Sequence, residues 1–117
     1  MSRHDDELRL GHMLQYAREA VGFAAGRARD DLDRERMLNL ALVRLIEIIG
    51  ETANHVSRAR QSRQPEIDWP RVIGMRPRLI HGYDGIDFDI LWDTIILELP
   101  SLIATLKRIL RSDASPS

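Results

Sequence analysis

The sequence has no cysteine among its 117 residues. Disulfides, thiolate zinc sites and cysteine nucleophiles are therefore excluded. Aromatic residues are scarce, at 5%, so a core must be mainly aliphatic. No apolar run approaches the ~20 residues that a membrane-crossing helix needs. The opening stretch, Met1 to Leu10, is charged and lacks the apolar segment of a secretion signal. A cytoplasmic location with no membrane contact is the expectation. Phosphate-loop, dinucleotide, HExxH and GxSxG signatures are all missing. What is present is an ordinary globular composition, with 44% hydrophobic and 30% charged residues. The length suits one domain with one core.

The net charge of −1 hides an uneven distribution. Between Arg58 and Ile80 six arginines (58, 60, 63, 71, 76 and 78) face only Glu66 and Asp68. Between His81 and Glu98 five acids occur with no lysine or arginine. One reading is two solvated faces that pair with each other. The other is a local phosphate-binding patch on a nearly neutral protein.

Helical periodicity dominates. Leu10, Met13, Ala17, Ala20, Val21, Ala24 and Ala28 form a first stripe. Asp31 or Asp33 is placed to cap the next helix. There Leu38, Ala41, Leu45, Ile48, Ile49, Thr52 and Val56 form a second stripe, and Arg58, Arg60 and Arg63 load its C-terminal end. Pro70 suits a first helical turn, and a second short helix is expected from Pro77. Asp87 suits an N-cap. The last stripe runs through Phe88, Leu91, Trp92, Ile95, Leu99, Leu102, Ile103, Leu106 and Leu110. Pro100 interrupts that pattern and predicts a kink. These features predict an all-α, up-and-down four-helix bundle with a short broken third helix and a kinked last one. One domain is expected over residues 1–112, with a disordered tail over 113–117. The wide apolar faces suggest a dimer.

Few residues offer chemistry. Glu51 and His55 share a helix face at i, i+4 and could hold a metal, although a surface ion pair is the plainer reading. His4 and His12 read as surface residues, and Trp69 and Trp92 as core or interface. Glu47 and Glu51 either line a cleft or are ordinary helix-face acids. The segment Arg76-Pro77-Arg78-Leu79-Ile80-His81-Gly82-Tyr83 is different. Pro77 should hold Arg76 extended at the start of the short helix, where free N–H groups favour an anion. Gly82 could end that helix in a left-handed conformation. An arginine, an imidazole and a phenol would then converge on one turn. Those are parts for RNA cleavage without a metal. Histidine would move protons, and arginine would bind the phosphate bidentately. Structural roles for one arginine and one histidine are the alternative.

Arg76-x4-His81-x-Tyr83 resembles the Rx4HxY motif of HepT toxins in the HEPN superfamily. The frame around it is similar too: Leu45-Ile46-Glu47-Ile48-Ile49-Gly50-Glu51, Pro65-Glu66-Ile67-x-Trp69, Ile73-Gly74-Met75-Arg76, Trp92-x-Thr94-Ile95 and Leu99-Pro100-x-Leu102. The resemblance implies a HEPN-type bundle that dimerises and sets two motifs across a shared cleft. It implies a metal-independent ribonuclease acting on tRNA or mRNA, with no cofactor. Arg76 and His81 would be catalytic and Arg78 would support RNA binding. It further implies a toxin–antitoxin pair of type VII. There a minimal nucleotidyltransferase antitoxin adds AMP to Tyr83. One position departs from the pattern: Pro77 stands where the family commonly has a polar residue. A non-catalytic module that binds RNA or the nucleotidyltransferase is the second reading.

Overall fold

The computed structural model describes residues 3–81 and 85–114, apart from the side chain of His81. Three long helical stretches frame it. They are α1 (Arg3–Ala24), α3 (Arg36–His55), and a continuous run of α7 (Phe88–Asp93), a π-helical turn (Thr94–Glu98) and α8 (Leu99–Ala114). The fourth member is broken into α4 (Arg58–Arg63), α5 (Trp69–Ile73) and α6 (Met75–Leu79). The short α2 (Asp31–Arg34) links α1 to α3. The four-helix architecture is therefore the expected one. It also carries a small antiparallel hairpin of β1 (Ile80–His81) and β2 (Gly85–Ile86).

α1 is the central helix, packed on both α3 and α8. Its buried line is Leu10, Met13, Ala17, Ala20 and Ala24, and the small alanines allow close approach. The helix stops at Ala24 rather than continuing towards Ala28. Gly26 adopts φ +76°, and Arg27 N–H closes the turn on the Ala24 carbonyl at 3.0 Å. Of the last stripe, Leu91, Ile95, Leu99, Leu102 and Leu106 are buried; Phe88, Trp92, Ile103 and Leu110 are only partly covered, and Ile109 rather than Leu110 closes the buried line. The irregularity expected at Pro100 is the π-helical turn just before it. Proline lacks the N–H that would extend the regular ladder.

Several boundaries differ from the sequence expectation. Asp31 and Asp33 do not cap α3. They lie within α2, where Asp31 accepts from Ala28 N–H and Asp33 pairs with Arg29. The N-cap of α3 is Glu35, without a side-chain cap. The buried line of α3 is Leu38, Leu42, Leu45, Ile46, Ile49 and Ala53, so it is rotated from the expected one. Two partners cause this. α1 covers one side of α3, and α5 and α6 cover another.

The arginines at 58, 60 and 63 belong to α4, not to the end of α3. Asp6, only 3% exposed, makes the break. One carboxylate oxygen accepts from Ser57 N–H at 2.9 Å and the other from the Ser57 hydroxyl at 2.6 Å. Ser57 Oγ in turn caps α4 by accepting from Arg60 N–H. Burial pushes the Asp6 carboxyl up, but the two hydrogen bonds from Ser57 and the nearby arginines outweigh it and hold the group low. Arg60 is itself buried and pairs with Asp113 near the end of α8. The last helix thus runs to Ala114, past the expected end of the domain at 112.

α5 and α6 position the motif. Asp68 caps α5 by accepting from Arg71 N–H, and Pro70 sits in its first turn. Gly50 of α3 lets α5 approach: a Cβ there would lie 3.2 Å from the Ile73 carbonyl oxygen. Gly74 ends α5 and begins α6. The second short helix therefore starts at Met75 rather than Pro77, and Arg76 is helical rather than extended. Pro77 falls in the first turn, where a missing N–H costs no helical hydrogen bond. The same helix stops at Leu79, before Gly82. Asp87 N–H binds the Leu79 carbonyl at 2.7 Å, and Ile80 turns extended to pair with Ile86.

Candidate active site

Arg76 and Arg78 are two apart on one short helix, so they point to different sides. Arg76 reaches α3, where its Nε donates to Glu47 Oε2 at 2.5 Å. Glu47 Oε1 accepts from Arg44 Nη1. Two guanidinium groups thus share one carboxylate, each on its own oxygen. The Arg76 hydrogen bond, then that of Arg44, holds the Glu47 carboxyl below the usual carboxylate range. The Arg76 side chain is 52% exposed and that of Arg44 60%. Arg76 uses only Nε here. Its Nη1–Nη2 edge has no partner among the described residues and can take a phosphate bidentately.

This cluster lies on an open face. Met37, Leu40, Arg44, Glu47 and Glu51 follow one another three or four residues apart along α3, on one stripe. Met37 is 86% exposed, and Leu40 and Ile80 are each about half exposed. Apolar residues therefore flank the charged cluster on the surface.

Arg78 is held elsewhere. Its Nη1 donates to the Arg71 carbonyl at 2.9 Å, and its Nη2 lies 3.4 Å from Glu98 Oε1. Arg71 Nε donates to that same oxygen at 2.7 Å. The structure therefore does not bring Arg78 to Arg76. His81 follows on β1, in register with Gly85, so the hairpin fixes its backbone just beyond the end of α6. Gly82, Tyr83 and Asp84 lie outside the described residues.

The six arginines of the basic segment do not form one patch. Arg60 is buried with Asp113, Arg71 and Arg78 share Glu98, and Arg76 meets Glu47. Pairing of the basic with the acidic segment is real at Glu98. Trp69 is buried, with its Nε1 donating to the Gln64 carbonyl, and Trp92 packs against the core. His55 Nδ1 donates to the Glu51 backbone carbonyl at 2.7 Å. Among the described residues no three His, Asp or Glu side chains come together as a metal site would require. No helix of the described residues is long and apolar enough to cross a membrane.

Arg44 is the site residue that sequence reasoning missed. Its signal was faint: an arginine three residues before Glu47, on the exposed side of α3.

Residues 13–109 match the family model described as HepT-like, "Ribonuclease HepT-like". The matched stretch contains Arg44, Glu47 and the whole Arg76–Tyr83 segment. A protein of Caldanaerobacter subterraneus that carries an RNase name is 33% identical over 89% of this chain and 93% of its own length. Another RNase-named protein, from Methanocaldococcus jannaschii, is 28% identical over 87% of this chain and 94% of its own. A protein of Thermococcus cleftensis named "Probable ribonuclease HepT" is 36% identical over 62% of this chain and 66% of its own. No solved structure matches.

Proposed function

Because the chain belongs to the HepT-like ribonuclease family, we propose that it is the toxin of a type VII toxin–antitoxin pair and cuts tRNA or mRNA without a metal. The observation that carries the reading is the exposed Arg76 guanidinium, anchored by Glu47 through one edge and open along the other. Arg76 binds the scissile phosphate and neutralises the charge that builds on it. His81 either removes the proton of the 2′-hydroxyl or protonates the leaving 5′-oxygen. Attack by the 2′-oxygen on phosphorus leaves a 2′,3′-cyclic phosphate on one fragment and a 5′-hydroxyl on the other. Arg78 contributes to RNA binding only from the periphery, since it is tied to Glu98 and the Arg71 carbonyl.

The active unit is a cytoplasmic homodimer with the two motifs across one cleft. Support comes from the exposed Met37, Leu40 and Ile80 beside the Arg44–Glu47–Arg76 cluster, since such apolar surface beside charge favours burial against a second copy. A nucleotidyltransferase antitoxin controls the toxin by adding AMP to the Tyr83 hydroxyl. The adduct adds bulk and negative charge to the motif and repels the RNA backbone. Pro77 lies at the start of α6, where it leaves the helix intact but offers no polar side chain to the phosphate.

The test incubates wild type and His81→Ala with total tRNA and mRNA in EDTA, without antitoxin. Wild type should leave cyclic-phosphate ends, and His81→Ala should leave the RNA intact. Co-expression with the nucleotidyltransferase should add the mass of AMP at Tyr83. A folded, unmodified wild type that binds RNA or the nucleotidyltransferase but cleaves nothing would replace this reading by a non-catalytic binding module.

A further inference from the structure

We propose that Arg44 is a second phosphate-contacting residue of the RNA site, with Glu47 as the positioning residue that holds Arg44 and Arg76 side by side. The proposal rests on the ribonuclease reading of Arg76 but assigns a residue from a different helix. The argument begins with charge. Arg44, Glu47 and Arg76 together carry +1, and both arginines are bound to the one Glu47 carboxylate. A phosphodiester brings −1 and completes a neutral quartet. Glu47 takes one N–H from each guanidinium, so each keeps donors for another acceptor. Arg44 has no partner besides Glu47 among the described residues, and it is the more exposed of the two cations.

Geometry adds to this. The two guanidiniums bind the two oxygens of a single carboxylate, so they lie close enough to grip one phosphate or two successive ones. Glu47 also orders two long side chains before RNA arrives. That removes part of the entropy cost of binding. The alternative cation on α6 lacks these properties: Arg78 is only 31% exposed and is already bonded to a backbone carbonyl.

The experiment measures binding of a short single-stranded RNA with 2′-O-methyl riboses, which cannot be cleaved, across a series of salt concentrations. It uses the full chain as wild type, Arg44→Ala, Arg44→Lys, Glu47→Gln and Arg108→Ala. Arg108 is exposed on α8 and controls for the loss of one positive charge. Arg44→Ala should bind about tenfold more weakly, and its log–log salt slope should fall by about one contact. Arg44→Lys should recover part of the affinity, and Arg108→Ala should match wild type. In cleavage assays Arg44→Ala should raise KM more than it lowers kcat, whereas Glu47→Gln should lower kcat by releasing Arg76. An Arg44→Ala protein with wild-type affinity and slope overturns the proposal, as does a wild type that does not bind the RNA. Arg44-dependent binding without cleavage by wild type would sink the ribonuclease reading and leave this one standing. Cleavage that needs His81 but ignores Arg44 would do the reverse.

Discussion

Two clusters in this molecule have the same composition and opposite character. Arg44–Glu47–Arg76 and Arg71–Glu98–Arg78 each join two arginines through one glutamate. In the first, the arginines come from α3 and α6, use separate carboxylate oxygens, and remain half exposed or more. In the second, both arginines converge on one oxygen, and Arg78 also binds the backbone of Arg71. That extra bond ties α6 back onto α5, and Glu98 ties both to the last long helix. The second cluster is a clasp through Arg78, although Arg71, 54% exposed and bonded through Nε alone, keeps donors of its own; the first leaves donors free on both of its arginines. Counting ion pairs does not separate the two, because exposed pairs each contribute little. Arg78 does: both of its terminal nitrogens are taken, whereas Arg44 and Arg76 each spend one donor on Glu47.

Substitutions can break this comparison. Arg76→Ala should have the largest effect, lowering kcat/KM for RNA cleavage by about 10²- to 10³-fold. Its melting temperature should move by less than about 4 °C, since an exposed pair is lost. A large loss of stability instead would make both clusters clasps. Arg78→Ala should show the converse. Removing its hydrogen bonds should cost about 1 kcal/mol of unfolding free energy, read from urea melts, while kcat/KM changes less than about threefold. A steep loss of cleavage in that variant, with stability intact, would move the RNA contact to the second cluster.

The smallest effect concerns pH. The folded Glu47 carboxyl titrates below its ordinary range because Arg76 and Arg44 hydrogen-bond its charged form. Its contribution to stability is therefore complete above the unfolded value, about 4.3, and is lost as pH falls through the lower folded value. Wild type should exceed Glu47→Gln by a few tenths of a kcal/mol at pH 7. Urea midpoints followed downward from pH 5 should show that margin shrinking. A margin that grows on acidification would contradict the assignment.

The long helices were legible because their apolar stripes outrun any single misplaced residue. Leu91, Ile95, Leu99, Leu102 and Leu106 are buried as their spacing implies, and only the end of the line shifts, from Leu110 to Ile109. The phase of α3 was less legible, since Ala41 and Ile48 read as apolar whichever side they face. The break at Val56 was invisible for a different reason. It depends on Asp6 bonding Ser57 across 51 positions of sequence, and no local pattern encodes that. Pro77 misled in a specific way. Proline fits any position of a first turn, so it marked a helix start without fixing which residue began it. That one uncertainty decided where Arg76 pointed. Resemblance identified Arg76, His81 and Tyr83 as a set, and Glu47 within its frame. Arg44 and the separation of Arg78 from Arg76 required the packing of α6 between two neighbours.

The π-helical turn at Thr94–Glu98 has a consequence for how the last helix opens. Its wider hydrogen-bond rings, followed by the missing donor of Pro100, leave a seam in a long rod. Amide hydrogens beside that seam should exchange with solvent sooner than those around Leu106 and Ile109, which sit in unbroken ladder over buried side chains. Glu98 is the last residue of the seam, so the clasp on Arg71 and Arg78 is mounted where that early exchange should be found. Excursions there would loosen α5 and α6 together while α1 and α8 stay closed. The shelf that presents the motif can then breathe without the bundle coming apart.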